Sequence, residues 1–267
     1  MQKTTVGSIE VTALVDTIEA YPGSVVYPKH DLSGYARHLD SEGRVPLNFG
    51  SFLVRDGSTV LLVDTGWGPE HNGRLLAELA EAGVKPAHVT HVLFTHLHGD
   101  HTGWNLDRQT GRPIFSEAKY LMPKKDWDHY SAAAAVPPAR DNDSFVRDVQ
   151  PLEALGVMQL VEGEHTISAG LTAIPTPGHT PGHTSVVVTS GSERGFILGD
   201  VVISAIDAED VTIRSVFDWD SDIALETRRA KGERLIADGS LVGASHLPAP
   251  GLGRFVREGA RQWWQTL

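Results

Sequence analysis

The chain has 267 residues, of which 40% are hydrophobic, so it can bury a sizeable core as one large domain or two small ones. Its formal net charge of −11, without any cluster of Lys and Arg, disfavours nucleic acid as a partner. No cysteine is present, which excludes disulfides, thiolate catalysis and every cysteine-containing zinc site. Any bound metal must therefore use His, Asp or Glu as ligands.

Short apolar runs that end in Gly, Asp or Pro recur along the chain and predict many β-strands. They occupy residues 9–14, 51–54, 60–63, 92–94, 171–174, 185–189, 196–198 and 241–244. The first twenty residues alternate like a strand and lack the apolar core of a signal peptide, and no later segment approaches membrane-spanning length. We therefore expect a cytoplasmic protein without a membrane partner.

Helix-compatible segments lie between these runs, at residues 70–82, 124–130 and 223–238. Strands and helices alternate in blocks without a linker or repeat, which favours one α/β domain over residues 1–267. The Ala run and paired prolines of residues 131–143 predict either a structural linker or a lid over a substrate site. A homodimer is compatible with the sequence, which does not determine the oligomeric state.

The most informative stretch is residues 90–105, where an apolar strand runs into His96-Leu97-His98-Gly99-Asp100-His101. A packed helix or a half-buried strand would leave several of these polar groups unsatisfied, at a cost of kilocalories each. Imidazoles and carboxylates are ligands of divalent ions such as zinc, and Gly99 permits the tight turn that brings them together. The alternative is a run of solvated loop histidines, which the density of the cluster disfavours.

Three further predicted strands end on His or Asp close to Gly or Pro. His179 follows Pro177-Gly178, Asp200 follows Gly199, and His246 follows the last of these strands. Sites in open α/β sheets assemble beyond the carboxyl ends of strands, so we expect these side chains to converge with the His cluster. Seven ligands are too many for one tetrahedral zinc, but they suit two ions that share a carboxylate and keep open positions.

The motifs that carry a resemblance to a known family are the THLHGDH cluster, the PTPGHTPGH of residues 175–183, Gly199-Asp200 and the late His246. Through these motifs the chain resembles the metallo-β-lactamase superfamily over most of its length. The resemblance implies an αββα sandwich, with two mixed β-sheets packed face to face and helices on the outer faces. It also implies a division of the ligands between two metals: His96, His98 and His179 for one, Asp100, His101 and His246 for the other, and Asp200 as the bridge. We expect two divalent ions, zinc first, with manganese, cobalt or iron as alternatives.

Other residues carry weaker hypotheses. Asp64 of Val63-Asp64-Thr65-Gly66 is expected to orient a metal-bound imidazole, although a turn residue would look the same. His183 is read as a packing or supporting residue beside the ligands, and a further ligand is the alternative. Four tryptophans are candidates for an apolar pocket wall, although large aromatics more often lie in a core: Trp67, Trp104, Trp127 and Trp219. The remaining histidines have no ligand-like context, so surface or core roles are expected: His30, His38, His71, His88, His91, His129 and His165.

Within the superfamily, His98 stands where flavodiiron members carry Glu, which disfavours redox chemistry. The sequence is most similar to the lactonase and methyl-parathion-hydrolase-like group, through GWN after the His cluster, Asp218-Trp219-Asp220 before a helix, and HLPAPGLGR from His246. It departs from acyl-homoserine lactonases at Ile203, where they place Tyr, and at Leu247, where they place Asp.

The resulting hypothesis is a dinuclear hydrolase in which a metal-bridging hydroxide attacks a lactone, carboxyl ester or phosphotriester of a small molecule. Asp100 is the candidate catalytic residue, as a proton shuttle to the leaving group, and a purely ligating role is the alternative. A glyoxalase-II-like thioesterase or an iron-dependent persulfide-type dioxygenase on the same fold remains open.

Overall fold

A computed structural model describes residues 1–134 and 143–267 and contains two seven-stranded sheets. The first sheet comprises β1 Gln2–Val6, β2 Ile9–Pro22, β3 Arg44–Asp56, β4 Thr59–Val63, β5 His91–Leu93, β6 Lys119–Pro123 and β7 Met158–Val161. The second comprises β8 His165–Ser168, β9 Leu171–Pro175, β10 Thr184–Ser190, β11 Glu193–Ile197, β12 Leu241–Gly243, β13 Leu252–Glu258 and β14 Arg261–Thr266. Each described strand pairs with its neighbours in chain order.

Both sheets are mixed. In the first sheet β1 to β4 are antiparallel and β4 to β7 are parallel. In the second, β11 and β12 are parallel and the other pairs are antiparallel. The α-helices are α1 Gly23–Val26, α2 Leu75–Glu81, α3 Gly99–Thr102, α4 Lys124–Ala134, α5 Pro151–Ala154, α6 Ala205–Glu209 and α7 Ser221–Asp238. Short 3₁₀ segments and a π-helical turn, Phe145–Val149, complete the described elements.

The period of two along β4 explains how the layers form. Leu61 and Val63 point into the core between the sheets, where Val186 and Ile197 of the second sheet meet them. Leu62 points the other way, into the core beneath α2 and α4. A third core lies between the outer face of the second sheet and α7. The αββα sandwich expected from the sequence is therefore confirmed.

The predicted elements are found, with shifted ends. The helix expected over residues 70–82 is divided: a 3₁₀ turn, Pro69–His71, precedes α2. Asn72 causes the break, because its φ of 55° is left-handed and cannot continue a helix. The helix expected at 223–238 begins two residues earlier as α7, because the Asp220 carboxylate accepts hydrogen bonds from the backbone N–H groups of Asp222 and Ile223.

Two further expectations concern the chain as a whole. Most of the segment interpreted as a linker or lid, residues 131–143, lies outside the described residues, namely 135–142. Among the helices that the structure describes, none combines the length and the apolar character needed to cross a bilayer. The C-terminal hairpin of β13 and β14 was not predicted from the sequence, and it extends the second sheet at its edge.

Candidate metal centre

The centre forms at one edge of the sandwich, where strands of both sheets end. His96 follows β5, and α3 carries Asp100 and His101 one turn later. His179 lies in the loop between β9 and β10, Asp200 follows β11, and His246 follows β12. The site is thus assembled from the first sheet on one side and the second sheet on the other.

All seven residues predicted as ligands come together. Their donor atoms fall into three overlapping groups, each within 4.8 Å: His96, His98 and His179; His96, His101 and Asp200; Asp100, His101 and His246. His98 Nδ1 lies 2.9 Å from His96 Nε2 and 3.0 Å from His179 Nε2. Asp200 Oδ2 lies 3.4 Å from His179 Nε2 and 2.9 Å from His246 Nε2, so this carboxylate stands between the two sides.

Two atoms at the centre are buried without a hydrogen-bond partner among the described residues. They are His101 Nε2 and Asp200 Oδ1, and they lie 3.4 Å apart. Leaving two such groups unsatisfied would cost several kilocalories, whereas a cation between imidazole and carboxylate donors would satisfy both. The residues present therefore fit divalent metal ions.

The electrostatics of His96 and His98 agree with this. Burial, together with the neighbouring His179, lowers the pKa of His98 to about 3. Burial and the adjacent histidines also hold the pKa of His96 well below its ordinary value. Both rings are therefore neutral and keep a lone pair for a metal. His101 differs, because the carboxylates around it outweigh burial and raise its pKa well above the ordinary value.

Asp64 and His183 contact the candidate ligands from behind. Asp64 Oδ2 lies 2.8 Å from His101 Nδ1, and the same carboxylate accepts hydrogen bonds from the backbone N–H and the hydroxyl of Thr95. His183 Nε2 accepts a hydrogen bond from the backbone N–H of Asp200, and its Nδ1 contacts Thr176 Oγ1 at 2.8 Å. Both nitrogens of His183 are thus engaged, which favours the supporting role over a further ligand.

Asp218 lies behind His179 and was not predicted from the sequence. Asp218 Oδ1 lies 3.3 Å from His179 Nδ1, and Asp218 Oδ2 lies 3.5 Å from Arg228 on α7. Arg228 is buried and also pairs with Asp207 at 3.3 Å. The Asp218-Trp219-Asp220 motif was available as a signal, but only the fold shows that its first Asp faces the centre while Asp220 caps α7.

A cavity of about 600 Å³ opens over the metal centre. Of the four tryptophans proposed for its wall, the structure places Trp67 there. The prediction is wrong for the other three, which do not line the cavity. Trp104 donates to buried Asp16, Trp127 packs in the core, and Trp219 is 54% exposed. His71, expected on the surface or in the core, lines the cavity and stacks on Trp67. The Asp16 carboxylate thus holds Trp104 away from the cavity wall, and it also accepts hydrogen bonds from backbone N–H groups of the loop that follows Asp64.

Residues 51–246 match the family model of the Metallo-beta-lactamase superfamily. The chain belongs to this superfamily. Among curated proteins it is 33% identical, over 173 residues, to "Metallo-beta-lactamase domain-containing protein 1" of Xenopus laevis, covering 65% of this chain and 59% of that relative. It is 24% identical to "N-acyl homoserine lactonase" of Bacillus cereus over 125 residues, or 47% of this chain and 42% of the relative. The matches with both proteins thus span less than two thirds of their lengths.

Solved structures agree on the fold. The hydrolase AbOPH superposes with a TM-score of 0.87 at 25% identity, covering 99% of this chain and 96% of that one. AidC, described as a dizinc quorum-quenching lactonase, superposes with a TM-score of 0.85 at 23% identity, covering 100% and 97%. The superfamily match and these relatives support a metal-dependent hydrolase.

Proposed function

We propose that the chain is a dinuclear metal-dependent hydrolase, folded as a single domain over residues 1–267, that cleaves an ester-type bond in a small molecule. The observation that carries the proposal is the convergence of seven imidazole and carboxylate residues, two of whose buried atoms, His101 Nε2 and Asp200 Oδ1, have no hydrogen-bond partner among the described residues. Lactones, carboxyl esters and phosphotriesters are the substrate classes to test, and the lactonase among the relatives supports the first.

The donor groups suggest how two ions would be held. His96, His98 and His179 would bind one ion, and Asp100, His101 and His246 the other. Asp200 would bridge the pair, because its Oδ2 lies within reach of His179 on one side and His246 on the other. Zinc suits this set of nitrogen and oxygen donors, and manganese, cobalt and iron accept the same ligands.

Two divalent ions supply a water ligand of lowered pKa and polarise the substrate oxygen. The chain supplies the rest of the chemistry. Before any metal binds, the charges of His101 and His246 outweigh burial and keep the pKa of the Asp100 carboxyl well below its ordinary value, so this carboxylate is ionised and available as a ligand. One oxygen, Oδ2, faces these two imidazoles. The other oxygen, Oδ1, would take up the proton that the attacking water-derived group releases and pass it to the leaving-group oxygen as the scissile bond breaks.

The test combines metal analysis with a substrate screen. Protein reconstituted with zinc, manganese or cobalt should bind about two ions per chain and hydrolyse at least one of four substrate families: lactones, aryl esters, thioesters and phosphotriesters. Turnover of thioesters alone would indicate a thioesterase instead. A single iron with oxygen consumption would indicate a dioxygenase and overturn the hydrolase proposal.

The ligand assignment has its own test. His96→Ala and His179→Ala each remove one of three imidazoles proposed for the same ion, so both should lose activity and metal at that position. Exposed His88 provides a matched control, since His88→Ala should leave metal content and turnover unchanged. Full metal occupancy and normal turnover in either ligand variant would contradict the assignment.

A further inference from the structure

A second polar cluster faces the same cavity, away from the metal ligands. Glu19 and Tyr21 are two residues apart on β2, so their side chains share one face of the strand. His71 approaches them from the 3₁₀ turn Pro69–His71. Tyr21 and His71 both line the cavity, and Glu19 joins them through contacts with each.

The hydrogen bonds in this cluster have a defined direction. The Tyr21 hydroxyl donates to Glu19 Oε2 at 2.9 Å, and His71 Nδ1 lies 3.3 Å from Glu19 Oε1. An ionised carboxylate only accepts, so a His71 ring that carries a single hydrogen donates it from Nδ1 and keeps a lone pair on Nε2. Glu19 therefore accepts the hydrogens of both neighbours. The groups left for a ligand are acceptors, namely the lone pairs of Tyr21 Oη and of His71 Nε2, and they lie beside the negative charge of Glu19.

Burial and charge keep the Tyr21 hydroxyl in this state. Burial, with the nearby carboxylates of Glu19 and Asp100, raises the pKa of Tyr21 far above its ordinary value, so the hydroxyl stays protonated. Its hydrogen remains committed to Glu19. The His71 side chain is 37% exposed and lines the cavity together with Tyr21, so a ligand there can reach both.

An aromatic wall connects this cluster to the metal centre. The His71 ring stacks on Trp67, with centroids 3.7 Å apart and an interplanar angle of 8°. The rings of Trp67 and Phe49 pack with their centroids 4.3 Å apart. The rings of Phe49 and His246 meet edge to face, with centroids 4.9 Å apart. Each of these four rings lines the cavity. The polar cluster thus lies at the outer end of an apolar surface that begins at a proposed metal ligand.

We propose that Glu19, Tyr21 and His71 form a subsite that binds an N–H group of the substrate, from an amide or an ammonium, while the reactive ester lies at the metal centre. The inference rests on the proposed function and deepens it. Its physical basis is complementarity: Tyr21 Oη and His71 Nε2 offer lone pairs beside the negative charge of Glu19, and an N–H group would donate to them. The apolar wall between the two ends would accommodate the carbon chain that separates the ester from the N–H.

The first experiment uses 4-nitrophenyl esters of N-acetyl ω-amino acids, with a spacer of one to five methylenes, and the matching N-acetyl-N-methyl esters, which lack the N–H. Each pair differs by one hydrogen-bond donor. We expect the ratio of kcat/KM between N–H and N-methyl esters to peak at one spacer length, at about tenfold. The difference should lie mainly in KM, because the subsite holds the part of the substrate that does not react.

The variants His71→Phe and Tyr21→Phe keep the rings and remove the acceptors. Each should reduce the peak ratio to about one. The chain offers matched controls in another tyrosine and histidine that bond carboxylates away from the cavity. Tyr35 donates to Asp210 at 2.7 Å, and His38 contacts Glu209 at 2.8 Å. Tyr35→Phe and His38→Phe should retain the wild-type ratio.

A binding measurement separates this inference from the hydrolase proposal. Calorimetric titration of the metal-loaded protein with the product acids should show tighter binding of the N-acetyl or free ammonium form than of the N-acetyl-N-methyl form. Comparing the first two identifies which N–H source the subsite prefers. If no ester is hydrolysed but this preference is present and is lost in His71→Phe, the proposed function fails and the subsite stands. A flat ratio at every spacer length, together with equal binding of the three acids, would overturn the subsite.

Discussion

At the scale of single residues, Asp200 tests the two-ion proposal. Two divalent cations held close together repel, and a bridging carboxylate offsets this repulsion in a way that a neutral amide cannot. We predict that Asp200→Asn folds but loses metal stoichiometry and at least about 100-fold in turnover, because even residues behind a metal ligand cost 10–100-fold when changed. Metal analysis and steady-state kinetics measure both effects. Full dinuclear occupancy with a near-normal rate would show that Asp200 does not bridge.

Asp218 gives a second prediction at this scale. Its carboxylate contacts His179 Nδ1, so it fixes the orientation of the ring and leaves Nε2 for the metal. Asp218→Asn should weaken binding of the ion proposed at His96, His98 and His179 by about tenfold or more, measured in a chelator competition. Asp220→Asn is the matched control two positions away, because Asn caps a helix as well as Asp does. Equal metal affinity in the two variants would assign Asp218 a structural role only.

At the scale of elements, α4 holds the loop that carries His179. Asp126 on α4 is buried and accepts hydrogen bonds from the Thr180 hydroxyl and the Gly182 backbone N–H. Burial raises its pKa from 3.8 to about 6, so the folded protein binds this proton more tightly than the unfolded chain does. The contribution of Asp126 to stability is therefore fully present below about pH 4 and is lost as pH rises through about 6.

The corresponding variant is Asp126→Asn, which has no proton to lose. The free energy of unfolding of the metal-free wild type should fall relative to the variant by about 1 kcal/mol between pH 5 and pH 7. Urea denaturation of both proteins, with chelator present throughout, measures the difference. Parallel stability curves for the two proteins would mean that Asp126 is already ionised at pH 5.

The close approach of two loops gives another prediction for this scale. A Cβ at Gly103, just after α3, would lie 2.2 Å from the Trp67 backbone, so the loop that carries Trp67 would have to move. Gly103→Ala should therefore lower the free energy of unfolding by about 1–3 kcal/mol. At Gly34 an added Cβ meets nothing within 4 Å, so Gly34→Ala is the matched control. Similar urea midpoints for the two variants would contradict the predicted contact.

At the scale of the whole molecule, the centre connects the two sheets. His96 follows β5 of the first sheet, whereas Asp200 and His246 follow β11 and β12 of the second. Ions bound there stabilise the folded chain and not the unfolded one, so chelation should lower the melting temperature by about 5–10 °C. Calorimetry with and without chelator measures this. An apo protein that melts at the holo temperature would show that the ions do not support the sandwich.

The sequence by itself predicted the seven candidate ligands and determined the class of fold. His96, His98, Asp100 and His101 are adjacent in the chain, and such a concentration of imidazole and carboxylate has few explanations other than a metal. The strands were readable because Val, Ile and Leu recur in short runs that end at Gly, Asp or Pro. A strand that is buried on both faces has a nearly continuous apolar sequence, so it can be recognised without knowing which strands it pairs with.

Only the tertiary structure decided which distant residues support the site. Asp218 contacts His179 because the loop before α7 returns to the centre, and His71 reaches Glu19 because Asn72 ends the 3₁₀ turn there. Neither contact produces a periodic pattern in the sequence, because a polar residue that contacts a candidate ligand has the same sequence context as a turn or surface residue. Local patterns follow from short-range sterics and hydrophobicity, whereas these contacts depend on how two sheets pack and where their strands end.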